Sequence, residues 1–92
     1  MFTLMNTHMS EAEVPVTHPI GDSISLGAAL RARRKSLRLG QRDAAEIAGV
    51  SVHTLSDIET GKGNPTLETL LTLCELLGLE LGLSERVPEA LK

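Results

Sequence analysis

Three residues between positions 51 and 58 have side chains that are not expected to pack in the core of a helical protein. Leu55 and Ile58 share one face of an expected helix, which leaves Val52, His53 and Asp57 on the other side. A branched apolar side chain, an imidazole and a carboxylate together offer apolar contact and hydrogen bonding. The chemistry available to this set is recognition of a surface by contact.

Residues that could act as catalysts or metal ligands are not grouped anywhere in the sequence. No serine, histidine and acid form a catalytic pattern, and no glycine-rich loop has the spacing of a phosphate cradle. His8 and His18 lack partners at metal-ligand spacing. The one cysteine, Cys74, lies in a leucine-rich stretch and is expected to be a core residue. We therefore expect no enzymatic activity, no metal site, no cofactor and no small-molecule ligand.

Charge is distributed unevenly along the 92 residues, whose net charge is −3. Residues 25–64 contain seven cationic and four anionic side chains, a net charge of +3, which leaves −6 for the remainder. A locally basic segment suits contact with phosphates, although a solvated basic face would look the same. No apolar run approaches the ~20 residues that a bilayer requires. The N-terminus also lacks a signal-peptide pattern, so we expect a cytoplasmic protein.

Four helices are expected in the middle of the chain, because apolar residues recur there at helical spacing. The first begins at Ile24, the second spans residues 41–48, the third follows an N-cap at Ser51, and the fourth starts near Thr66. A glycine follows each of them, which suits the left-handed position just past a helix. In order, these glycines are Gly40, Gly49, Gly61 and Gly78. The side chains expected to face the core are Leu26, Ala29, Leu30, Leu37, Ala44, Ala45, Ile47, Leu55, Ile58, Leu67, Leu70, Leu71, Cys74 and Leu77, and Arg33 falls on the same face of the first helix.

The segment after the fourth helix alternates with a period of two, which predicts a short strand over residues 79–83. A lone strand leaves its backbone groups unpaired, so Leu79, Leu81 and Leu83 are expected to mark a strand that pairs with a second subunit. A loop that alternates by chance is the alternative. Residues 1–23 are expected to be a flexible arm, 24–78 the helical domain and 84–92 a flexible tail.

Nine residues between positions 41 and 65 carry a resemblance to a known family. They are Gln41, Ala45, Gly49, Val50, Ser51, Glu59, Gly61, Asn64 and Pro65. In this order and spacing they resemble the Cro/repressor-type (XRE) helix-turn-helix family. The resemblance implies an all-α, four-helix, lambda-repressor-like domain that binds double-stranded operator DNA. Together with the strand, it implies a homodimeric transcriptional repressor that prefers an inverted repeat.

The resemblance also implies roles for individual residues. Val52, His53 and Asp57 would read bases: Val52 against a thymine methyl, His53 at a purine acceptor and Asp57 at a cytosine amine. Asp57 could equally be structural, paired with Arg42. Arg34 and Glu59 would form a structural ion pair between the first and third helices. Backbone phosphates would be contacted by Gln41, Arg42, Ser51, Thr54, Lys62 and Asn64.

Within that family, the layout is similar to the HipB-like antitoxin subgroup, in which a strand after the helices pairs between subunits. This similarity implies autoregulation of a toxin–antitoxin operon and binding of a HipA-type kinase toxin. A stand-alone repressor without a toxin and a protein-interaction adaptor that does not bind DNA remain the alternatives.

Overall fold

The computed structural model describes residues 16–91, which fold as four α-helices. Helix α1 spans Ser23–Ser36, α2 Gln41–Ala48, α3 Val52–Glu59 and α4 Leu67–Leu76, and a single 3₁₀ turn covers Glu89–Leu91. The prediction of an all-α, four-helix fold is confirmed. The flexible arm was predicted over residues 1–23, of which 1–15 lie outside the described part of the chain.

Helix α1 begins in a capping box. The Ser25 backbone N–H donates to Asp22 Oδ1 at 2.8 Å, and the Asp22 N–H donates to Ser25 Oγ at 3.1 Å. These reciprocal bonds satisfy donors that the first turn of a helix leaves free. The hydrogen bond from Ser25 lowers the pKa of the Asp22 carboxyl.

The end of α1 differs from the sequence prediction. Gly40 was expected to take the left-handed position, but that position belongs to Arg38, whose φ is 57°. The Arg38 and Leu39 N–H groups bond to the carbonyls of Lys35 and Arg34, so the helix closes two residues earlier than expected. Gly40 is instead extended, with a φ of −71°, and forms the N-cap of α2. The glycine thus begins a helix rather than ending one.

The core draws on all four helices. Its buried residues are Leu30, Ala44, Ala45, Leu55, Ile58, Leu73, Cys74 and Leu77. Of the side chains expected there, Leu37, Ile47, Leu67 and Leu71 are exposed, and that part of the prediction is wrong. Leu73, which was not expected in the core, is 1 % exposed. Leucines lie on several faces of α4, so periodicity left its orientation open, and the contact with α2 decides it.

Residues 79–91 follow the helical body after Gly78, which is left-handed with a φ of 68°. The Leu79 N–H still bonds to the Cys74 carbonyl at 2.8 Å, and its side chain packs at the edge of the core. No strand is present over 79–83 in the single described copy, since nothing in residues 16–91 pairs with this segment. The predicted pairing with a second subunit stays a prediction. Among residues 16–91, no helix combines the length and apolar character that crossing a bilayer requires.

Candidate nucleic-acid interface

Helices α2 and α3 are joined by a three-residue turn. Gly49 has a φ of 75°, a left-handed conformation that glycine adopts without a steric penalty. The Val50 N–H donates to the Ala45 carbonyl at 2.9 Å and closes the turn. Ala44 and Ala45 are fully buried, and their small side chains allow α3 to approach α2 closely. Helices α2 and α3 therefore pack as one compact unit, and α3 is exposed on its outer side.

The N-terminus of α3 is closed by two hydroxyls. The Thr54 N–H donates to Ser51 Oγ at 3.0 Å, which is the N-cap predicted from the sequence. Ser51 Oγ in turn donates to Thr54 Oγ1 at 2.9 Å. Because the hydroxyl hydrogen of Ser51 is used in this bond, the Thr54 hydroxyl is the one that still has a hydrogen to donate to a ligand.

The outer face of α3 carries the three predicted base-reading residues. Val52 is exposed, and the His53 side chain is 86 % exposed. Asp57 is partly covered, and its Oδ2 lies 3.4 Å from His53 Nε2, one turn away. The structure pairs Asp57 with His53 and not with Arg42, the partner that the sequence suggested.

A buried network of polar side chains holds α3 in place. Arg34 of α1 donates from Nε to Glu59 Oε2 at 2.6 Å and from Nη2 to Glu59 Oε1 at 3.0 Å. Its Nη1 donates to the Leu39 carbonyl at 2.8 Å. The ion pair expected between these two residues is therefore present, and the hydrogen bonds to Glu59 raise the pKa of Arg34.

Gln41 joins the same network from the start of α2. Its Nε2 donates to Glu59 Oε1 at 3.0 Å, so one carboxylate receives bonds from α1 and α2 together. This contact braces α3 from the start of α2, while the phosphate contact expected of Gln41 stays a prediction. The orientation of the α3 outer face is thus set by charge-assisted hydrogen bonds inside the protein.

The loop after α3 supplies two more of the predicted contact residues. Lys62 and Asn64 are exposed, and the Lys62 N–H donates to the Asp57 carbonyl at 2.7 Å, which folds the loop back against α3. Gly61 and Gly63 flank Lys62, both with positive φ, and permit this tight path. Between the loop and α3 lies an open cleft of about 230 Å³, lined in part by Thr54, Asp57, Lys62 and Asn64. Arg42 is exposed on α2.

Two structural contacts behind this surface, made by Gly27 and Arg33, were not predicted from the sequence. A Cβ atom on Gly27 of α1 would meet the Ile58 carbonyl and lie 2.8 Å from the Glu59 carbonyl, so α1 rests directly on the backbone of α3. The Nε of Arg33 donates to the Leu77 carbonyl at 2.8 Å and ties α1 to the end of α4. A glycine inside a helix disfavours that helix, which is the one signal that could have revealed the first contact.

The sequence matches a family described as a helix-turn-helix domain over residues 25–87. Among curated proteins, it is 38 % identical over 60 residues to the ImmF control region 10 kDa protein of Bacillus phage phi105, covering 65 % of this chain and 67 % of that protein. It is 44 % identical over 50 residues to the HTH-type transcriptional regulator DdrOP3 of Deinococcus deserti. That match covers 54 % of this chain but 39 % of the regulator, so the similarity extends over less than half of the longer protein.

Two solved structures resemble the fold. The clp gene regulator ClgR from C. glutamicum superposes with a TM-score of 0.59 at 36 % identity, over 63 % of this chain and 75 % of that one. The restriction-modification controller protein C.AhdI from Aeromonas hydrophila gives a TM-score of 0.59 at 28 % identity, over 62 % of this chain and 86 % of its own.

Proposed function

This chain belongs to the helix-turn-helix domain family and is a transcriptional regulator with a DNA-binding domain, and we propose that it is a sequence-specific repressor. In this proposal α3 enters the major groove of double-stranded DNA, and its exposed residues contact base edges. The relatives named as a control-region protein and a transcriptional regulator support this assignment.

The observation that carries the proposal is the exposed first turn of α3. Val52 and His53 lie there without a role in the core, while Leu55 and Ile58 anchor the opposite face. The first turn of a recognition helix is the part that reaches base edges.

The residues around α3 are suited to hold the DNA backbone. Lys62 supplies a charge for a phosphate from the loop beside the cleft, and the free hydrogen of Thr54 supplies a neutral donor. The remaining proposed backbone contacts are Gln41, Arg42, Ser51 and Asn64; for Ser51 Oγ, this contact would require its hydrogen to turn away from Thr54. These contacts would fix the position of α3 along the DNA. Val52, His53 and the part of α3 around Asp57 would then determine which base sequence is bound.

Selection of bound duplexes from a randomised library tests the proposal. We expect the wild-type protein to enrich one consensus. The variant Val52→Ala should lose preference at one base pair by about tenfold, because a thymine methyl loses its apolar contact. Arg86→Ala, which removes an exposed cation from the tail, is the control and should return the wild-type consensus. Failure of the wild-type protein to enrich any duplex sequence would contradict the proposal.

A narrower proposal, based on the similarity to HipB-like proteins, is that the regulator is an antitoxin that forms a homodimer and binds a HipA-type kinase toxin. It is supported by the exposure of Leu81 and Leu83, which leaves apolar side chains available beyond the helical core. Copurification with a kinase encoded beside its gene is the expected result. DNA binding without such a partner would favour a stand-alone repressor, and partner binding without DNA binding would favour an adaptor.

A further inference from the structure

A histidine and an acid form an asymmetric pair on the outer face of α3. His53 lies in the first turn with its side chain 86 % exposed, whereas the Asp57 side chain is 36 % exposed and lies one turn further along. The loop at Lys62 and Gly63 folds over the Asp57 side of this pair. Of the two, His53 is therefore the side chain placed to meet a base, and Asp57 lies behind it.

We propose that Asp57 acts in DNA recognition through His53, as a positioning residue, and does not itself read a base. The inference rests on the proposed function, since it concerns how α3 reads DNA. The Asp57 carboxylate lies 3.4 Å from His53 Nε2 and favours the ring form in which Nε2 carries a hydrogen. Because Nε2 is the ring nitrogen beside Asp57, Nδ1 is the one left for a contact with DNA.

Electrostatics favour this division of roles. A carboxylate directed at DNA would be repelled by the phosphates. The Asp57 carboxylate is partly covered and lies beside the His53 ring, so it is better placed to orient that ring than to meet a base.

Other charged groups around the pair do not replace this interaction. Lys62 lines the same cleft as Asp57 without forming an ion pair, and Arg34 of α1 is bound to Glu59. Within the described residues, none of the charged side chains of α2 pairs with either member; these are Arg42, Asp43 and Glu46.

A double-mutant cycle on base discrimination tests the inference. The proteins are wild type, His53→Ala, Asp57→Ala and the double variant. The probes are the selected duplex and duplexes changed at each base pair in turn. Fluorescence anisotropy measures the affinity of each protein for each duplex. For each protein, the ratio of affinities for two duplexes gives the discrimination, which a general change of net charge does not alter.

The expected result is non-additive. Wild type should show a preference of about tenfold at one base pair. Asp57→Ala should reduce that preference at the same base pair to about twofold. In the His53→Ala background, the same change should have no further effect. Glu46→Ala, which removes an exposed acid from α2, should leave the discrimination unchanged.

Two outcomes would overturn the inference. If Asp57→Ala changes discrimination equally with and without His53, or at a different base pair, Asp57 reads DNA independently. If Asp57→Ala leaves the discrimination of the wild-type protein unchanged, Asp57 does not position His53 for recognition. Absence of any duplex binding would instead contradict the proposed function itself, which separates the two failures.

Discussion

Arg34 makes three hydrogen bonds inside the protein, two to Glu59 and one to the Leu39 carbonyl. Both charged side chains are almost completely buried. An ion pair removed from water loses hydration that its own attraction only partly replaces, so its contribution to stability is small while both partners are present. Loss of one partner is a different case, since it leaves the other charge buried alone.

The variant Arg34→Met should therefore lower the free energy of unfolding by about 3–5 kcal/mol. The double variant Arg34→Met/Glu59→Leu should be less destabilised than Arg34→Met, since no buried charge remains unpaired. Urea unfolding followed by circular dichroism measures both. A double variant that is less stable than Arg34→Met would contradict this account. If Arg34→Met does not fold, a folded double variant still supports it.

Lys62 lies on the loop beside α3 and is exposed, so its removal should not disturb the fold. Lys62→Ala should weaken binding to all duplexes by a similar factor, because a phosphate contact carries no sequence information. The slope of log affinity against log salt concentration should fall by about one. Arg86→Ala should leave the slope unchanged. An unchanged slope for Lys62→Ala would exclude a phosphate contact at this position.

At the scale of the elements, the approach of α1 to α3 depends on Gly27. A Cβ at this position would lie 2.8 Å from the Glu59 carbonyl, so a side chain requires the two helices to separate. Gly27→Ala should lower the free energy of unfolding by about 1–3 kcal/mol, although alanine favours a helix over glycine. Thermal unfolding measures the effect. Gly21→Ala, where a Cβ meets open space, is the control, and equal stabilities of the two variants would contradict the close approach.

The sequence predicted some elements well because local signals agreed with packing. Helix α2 has the predicted bounds, since a glycine follows it and its two alanines face the core. Ser51 caps α3 as expected, because a hydroxyl just before a helix accepts a hydrogen bond from a free backbone N–H of the first turn. The contact between Arg34 and Glu59 was anticipated from the family resemblance and not from local pattern.

Other features depend on tertiary contacts that local patterns do not encode. The left-handed residue after α1 is Arg38, although glycine two positions later was the expected one. Helix α4 carries leucines on several faces, so only its contact with α2 shows that Leu73 is buried and Leu67 is exposed. In the candidate site, the pairing of His53 with Asp57 requires the orientation of two side chains on α3.

At the scale of the whole molecule, a homodimer would present two copies of α3 to DNA. Leu83 is fully exposed and Leu81 is exposed, while Leu79 contacts the core, so the free part of the segment begins after Leu79. If these segments pair across a two-fold axis, recognition helices about 34 Å apart would match half-sites one turn apart.

The variant Leu83→Lys should therefore dissociate the dimer, because it places a charge on the apolar side of the paired segment without disturbing the monomer. Light scattering at micromolar concentration should give the mass of two chains for wild type and of one chain for the variant. Val16→Lys, at another exposed apolar residue, is the control and should remain dimeric. A wild-type monomer would contradict the predicted pairing.

The central claim, that the outer face of α3 and the adjoining loop contact DNA, is tested most directly by nuclear magnetic resonance. The selected duplex is titrated into ¹⁵N-labelled protein, and the shift of each backbone amide is followed. The account predicts that the largest shifts occur at Gln41, at residues 51–54 and at residues 62–64. Shifts confined to α4 and residues 79–91, with α3 unperturbed, would contradict it.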